Sequence, residues 1–129
     1  WNAANDASQG FLLDAGEAIY NFTGAYPAYY KANQVDPQTI ASAAQAGKVI
    51  VLTTPGSGAT TTLDPGTGIV AWHAYALVDM KSVNGQWLVT LYNPWGRDGN
   101  AAPKDGVDDG RLTVPWTTVA TYFNSIRVA

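Results

Sequence analysis

The feature that most limits what this chain can fold into is Asn84-Gly85, set between two apolar stretches at 70–80 and 86–93. Asn-Gly is the strongest short hairpin signal, because both residues tolerate the left-handed backbone of a tight reversal. The two stretches are therefore expected to be antiparallel neighbours.

His73, the only histidine, stands near the start of the first stretch, and Asn93 closes the second. The ribbon brings both to one end, and register decides whether they meet. A two-residue turn pairs Val83 with Gln86, which sets His73 opposite Gly96 and Asn93 opposite Ala76. Side chains alternate along a strand, so the pair would then face opposite ways. A three-residue loop, with Val83 and Asn84 central and Gly85 as a left-handed bulge residue, sets His73 opposite Trp95 and Tyr75 opposite Asn93. His73 and Asn93 become diagonal neighbours on one face, their Cβ atoms about 7 Å apart. The bulged loop is the expectation.

Such a pair has a chemical use. A thiolate beside an imidazolium is a ready nucleophile, because ion pairing lowers the thiol pKa. An Asn amide oxygen accepts a hydrogen bond from one ring nitrogen and leaves the other facing the sulfur. The Trp95 indole would shield that bond from water. On the plainer alternative, His73 is a satisfied structural residue, and Asn93-Pro94-Trp95-Gly96 is a strand exit whose Trp fills a core.

The rest of the chain supplies layers for this ribbon. Apolar residues at Phe11, Leu12, Ala15, Ala18, Ile19 and Phe22 have helical spacing over 9–22. Tyr26-Pro27-Ala28-Tyr29-Tyr30 reads as a loop or short helix. A second helix is marked by Asp36 as N-cap, Pro37 in its first turn and Gly47 at its end, with Ile40 and Ala44 on its apolar face. Lys48 to Thr54 reads as a buried strand, 55–68 and 96–110 as loops, and 70–80 as one strand. A strand from Arg111 to Val114, a short helix begun by Pro115 and a strand from Ser125 to Val128 follow. The expected architecture is α+β over 1–129 as one domain, two N-terminal helices followed by a mostly antiparallel sheet.

Composition narrows the function. With 47% hydrophobic and 13% charged residues the chain suits a packed globule rather than a solvated tail. The net charge is −3 and the seven Lys and Arg are scattered, so no basic cluster exists to meet nucleic acid. Its apolar runs, such as Val49 to Leu52, are too short to cross a bilayer. Five Trp and seven Tyr point to an aromatic core or cleft, and leave a carbohydrate-binding domain as a weaker reading. There is no cysteine, hence no disulfide and no thiolate zinc site. The chain opens on Trp1 rather than Met, and is expected to be a piece of a longer protein.

His73-Ala74-Tyr75 followed by Tyr92-Asn93-Pro94-Trp95-Gly96 resembles the second half of the calpain protease core, a branch of the papain-like cysteine proteases. The likeness extends to Phe11-Leu12-Leu13 through Gly24-Ala25-Tyr26, and to Asp109-Gly110-Arg111-Leu112 through Phe123. It implies a papain-like second half-domain in which His73 is general base and acid, Asn93 its orienter and Trp95 the shield. It also implies a polypeptide substrate, chemistry that needs no cofactor, and a nucleophilic cysteine supplied by a preceding half-domain or a noncovalent partner. Alone, the chain would be inactive. Trp72 stands where the family usually has Gly, and would reshape the substrate groove. That departure also keeps open a binding or regulatory module that retains the fold without the chemistry.

The resemblance further implies a calcium site in this half, with Asp98, Asp105 and Asp109 as hard oxygen ligands. Arg111 stands where the family often has a ligating Glu, and a cation there repels calcium. A solvated Asp-Gly loop is therefore the favoured expectation for 96–110.

Overall fold

The computed structural model describes residues 24, 26–56, 62–94, 96 and 109–129. Its centre is the hairpin. Strand β5 (Ala74–Val83) returns as β6 (Gln86–Tyr92) through Asn84 and Gly85, whose φ angles are +53° and +78°. Val83 pairs with Gln86, so the turn has two residues, not the expected three. Both central residues are left-handed, which matches the right-handed twist of the strands they join.

The register is nevertheless corrected further along. Pairing runs without interruption from Val83–Gln86 to Asp79–Thr90, then resumes at Leu77–Leu91 and Ala76–Tyr92, leaving Val78 as an extra residue. This β-bulge shifts every later pair by one and swaps faces. Its cause lies in the sequence. Tyr75 and Leu77 face the core at alternate positions, and uninterrupted alternation would drive Asp79 and Lys81 inward as well. The bulge turns those two charges outward and puts Met80 inside instead. Val78 is left 44% exposed.

Six strands form the main sheet in the order β1-β8-β2-β5-β6-β7, each antiparallel to its neighbours. Here β1 is Ala28–Lys31, β2 Ile50–Thr53, β7 Arg111–Pro115 and β8 Ser125–Val128. A small second sheet pairs β3 (Thr62–Asp64) with β4 (Ile69–Val70). Helix α1 (Pro37–Gln45) contacts β5, and α2 (Trp116–Tyr122) contacts β6 and β7. Core residues come from both layers: Ile40 and Val119 from the helices, Leu52, Tyr75, Leu91 and Ile126 from the sheet. The fold is α+β.

The expected caps of α1 are present. Asp36 accepts a hydrogen bond from the Gln38 amide at 2.9 Å, and Pro37 occupies the first turn. Gly47, at φ +77°, ends the helix in a Schellman motif, with Lys48 N donating to Ala43 O and Gly47 N to Ala44 O. The expected helix over 9–22 lies outside the described residues. Three expectations need correction. Residues 28–31 form an edge strand rather than a loop or short helix, paired with β8. Part of the expected 55–68 loop forms β3. The expected strand over 70–80 is two strands, interrupted at Trp72, whose φ of +48° no strand residue adopts.

Deleting Val78 should test the register account. Removing the extra residue leaves Leu77–Leu91 next to Asp79–Thr90 with every other pair and face unchanged, and should be tolerated. Deleting the paired Thr90 instead turns Leu91 out of the core, and urea unfolding is then expected to show a loss of about 3 kcal/mol or more. Val78→Thr keeps the residue count at an exposed position, and its effect should stay within about 0.5 kcal/mol. Equal losses from deleting Val78 and from deleting Thr90 would contradict the account.

Candidate active site

His73 and Asn93 meet where the register permits. His73 Nε2 lies 2.9 Å from Asn93 Oδ1, and both residues have no exposed surface. A carboxamide oxygen can only accept, so Nε2 carries the proton and donates. This assigns the tautomer of the neutral ring: Nε2 protonated, Nδ1 not.

Each partner is held by its own set of strands. The Asn93 amide donates to Gly110 O at 2.7 Å, tying it to the start of β7. The Asn93 carbonyl accepts from Gly96 N at 2.9 Å, which closes a four-residue turn. Gly96 has φ +76°, the left-handed backbone that glycine takes without strain. The Asn-Pro-X-Gly pattern is thus a turn that leaves the Asn side chain on the core face of the sheet.

His73 sits just outside the ladder, on a turn between β4 and β5. Its ring meets Tyr75 edge to face, with centroids 5.2 Å apart, and Tyr75 meets Phe123 in the same way at 5.4 Å. Trp72 immediately before it is half-buried and left-handed, a conformation that costs an L-residue roughly 1–2 kcal/mol. Glycine would take this backbone freely, so the position suits glycine on conformational grounds. The backbone geometry survives here with an indole instead. On the adjoining segment Gly56 has no room for a side chain, since a Cβ there would lie 2.8 Å from Ala71 Cβ.

Burial sets the electrostatics. Desolvation pushes the His73 imidazole below its ordinary pKa of 6.5, and the bond to Asn93 offsets only part of that. Tyr75 is pushed up to about 12, mainly by burial, against the opposing hydrogen bond at the Val70 backbone. The ring of His73 is therefore held neutral in this chain.

The other candidate residues fare differently. Trp95, Asp98 and Asp105 lie outside the described residues. Asp109 is exposed, and its Oδ1 accepts from Arg111 N at 3.0 Å, a local turn that employs the carboxylate. Among the described residues no three His, Cys, Asp or Glu side chains come together as a metal site. Of the three expected calcium ligands, only Asp109 lies among the described residues.

The site thus defines a class of protein: an α+β chain that presents an imidazole oriented by a carboxamide at one end of a bulged hairpin. The sequence model of the calpain family of cysteine proteases matches residues 9–106, and the chain belongs to that family. The match includes the stretches that carry His73 and Asn93, and stops short of 109–123. No curated protein matches the chain.

The lowered pKa of His73 has a measurable consequence. Between the folded pKa and 6.5 the unfolded chain binds the proton and the native chain does not, so stability rises with pH across that window. The contribution is complete above the unfolded value and is lost as pH falls toward the folded one. Proton NMR of the ring should give a midpoint below 6.5, and urea midpoints should fall on acidification less for His73→Phe than for the native chain. A ring midpoint above that value would contradict the assignment.

Proposed function

We propose that this chain is the His- and Asn-bearing half of a calpain-like cysteine endopeptidase. His73 is its general base and acid, Asn93 orients the ring, and Trp95 covers the pair. The observation that carries this reading is the Nε2···Oδ1 contact of 2.9 Å, which leaves Nδ1 as the nitrogen that exchanges a proton with sulfur. The chain contains no cysteine, so the thiol comes from another half-domain, within the same parent protein or on a partner chain. Alone it is inactive.

In the assembled site the thiol passes its proton to His73, and the resulting thiolate attacks the scissile carbonyl carbon of a polypeptide. The imidazolium then gives that proton to the leaving amine. A water activated by the neutral ring releases the acyl group and restores the thiol. Throughout, Asn93 keeps the ring plane fixed, so that the same nitrogen accepts and returns the proton. A thiolate placed beside the ring favours the imidazolium and opposes the desolvation that keeps it neutral in this chain. Trp72, half-buried beside His73, borders the substrate groove on this reading.

A specific observation favours a second reading. His73 and Asn93 are fully buried in this chain, as a structural pair would be. On that reading the chain is a binding or regulatory module that keeps the fold and has lost the chemistry.

Reconstitution separates the two. Mixed with a Cys-bearing calpain-family half-domain, the chain should acquire peptidase activity. His73→Ala should abolish it, and Asn93→Ala should lower kcat about a hundredfold, the scale of one general acid–base contribution. A folded, stable complex without activity would favour the module.

A further inference from the structure

Strand pairing stops short of His73. The ladder between β5 and β2 ends at Ala74–Thr53, and that between β5 and β6 ends at Ala76–Tyr92. With Trp72 left-handed, the backbone reaching His73 is not a strand, so the sheet alone does not aim the imidazole. The 70–73 turn is instead clamped by side chains from the strands beside it.

Thr54, just past the end of β2, is fully buried. Its Oγ1 donates to Val70 O at 2.7 Å and accepts from His73 N at 3.0 Å. A hydroxyl has one hydrogen, which goes to this nearer carbonyl in preference to His73 O at 3.2 Å. The Thr54 amide donates to His73 O at 2.9 Å, and Trp72 N donates to Pro55 O at 2.9 Å. On the other side of the same residue, Val70 N donates to the Tyr75 hydroxyl at 3.1 Å. One hydroxyl therefore joins both ends of the turn, and a second holds the other side of residue 70.

We propose that Thr54 is a positioning residue for His73, with Tyr75 as its counterpart, and that this clamp keeps Nε2 aimed at Asn93. Why the aim matters rests on the endopeptidase reading, but the clamp itself is a claim about this chain's geometry. Thr54 does not touch the reacting atoms and acts only through His73. The energetic case is direct. A buried backbone N–H and a buried carbonyl share one small side chain, and an isosteric apolar replacement satisfies neither.

The test is the lifetime of the His73 ring Nε2 proton, read by hydrogen exchange in NMR, together with the backbone amides of Val89 and Leu91 as core reporters. Thr54→Val should speed ring-proton exchange about tenfold or more relative to those core amides, the scale of one lost hydrogen bond. Thr54→Ser, which keeps the hydroxyl, should restore the native ratio. An unchanged ratio in Thr54→Val, core amides that speed up equally, or a Thr54→Ser no better than Thr54→Val would overturn the proposal. If Thr54→Val fails to fold, Tyr75→Phe decides, since it removes only the acceptor for Val70 N. Faster ring exchange relative to the core supports the clamp, and an unchanged ratio overturns it. Failure of the endopeptidase reading would show in the reconstitution assay and leave these lifetimes as they are.

Discussion

One hydrogen bond, from His73 Nε2 to Asn93 Oδ1, organises the chemistry of this chain, and the register that permits it depends on Val78 being left out of the pairing between β5 and β6. A two-residue Asn84-Gly85 turn on its own would place the imidazole and the carboxamide on opposite faces of the ribbon. Val78 supplies the missing step. A bulge spends one unpaired residue to change parity, and here that change also turns Asp79 and Lys81 out of the core and brings Met80 in. Core packing and site geometry thus ask for the same irregularity, which is the mutual consistency expected of a sequence that specifies one structure.

Much of this was legible in the residues. The ribbon, the meeting of His73 and Asn93, the caps of α1 and the closing strand at Ser125–Val128 follow from turn chemistry and periodicity. The register at the site follows from the sequence pattern, but its cause lies in the strand rather than in the loop. The signal for the true cause was present: apolar positions at Tyr75 and Leu77 are followed by Met80, with polar Asp79 and Lys81 between and after. Alternation that breaks by one residue marks a bulge. The split of 70–80 was not legible, because nothing in Trp72 itself signals a left-handed backbone. Edge strand β1 is not legible either, since its aromatic residues gain their meaning from pairing with Ser125–Val128 at the other end of the sequence, which no local pattern reveals.

Burial gives the site its character. In this chain the imidazole is dry and neutral, although the proposed mechanism requires it to accept a proton. These are compatible if a thiolate arrives as the compensating charge, because the cost of a buried cation falls when its counter-ion lies in contact. A half-site that holds its histidine neutral until sulfur is adjacent would tie the imidazolium to assembly. The left-handed backbone at Trp72 is held without a glycine, with Thr54 and Tyr75 as the proposed means.

The most direct measurement of the central claim is the pair of ring 15N shifts of His73, obtained from long-range proton–nitrogen correlation at neutral pH. A protonated, pyrrole-like Nε2 beside a pyridine-like Nδ1, with the pattern lost in Asn93→Ala, is the predicted result. A protonated Nδ1, or averaged shifts indifferent to Asn93, would contradict it, because the carboxamide would then not be fixing the ring.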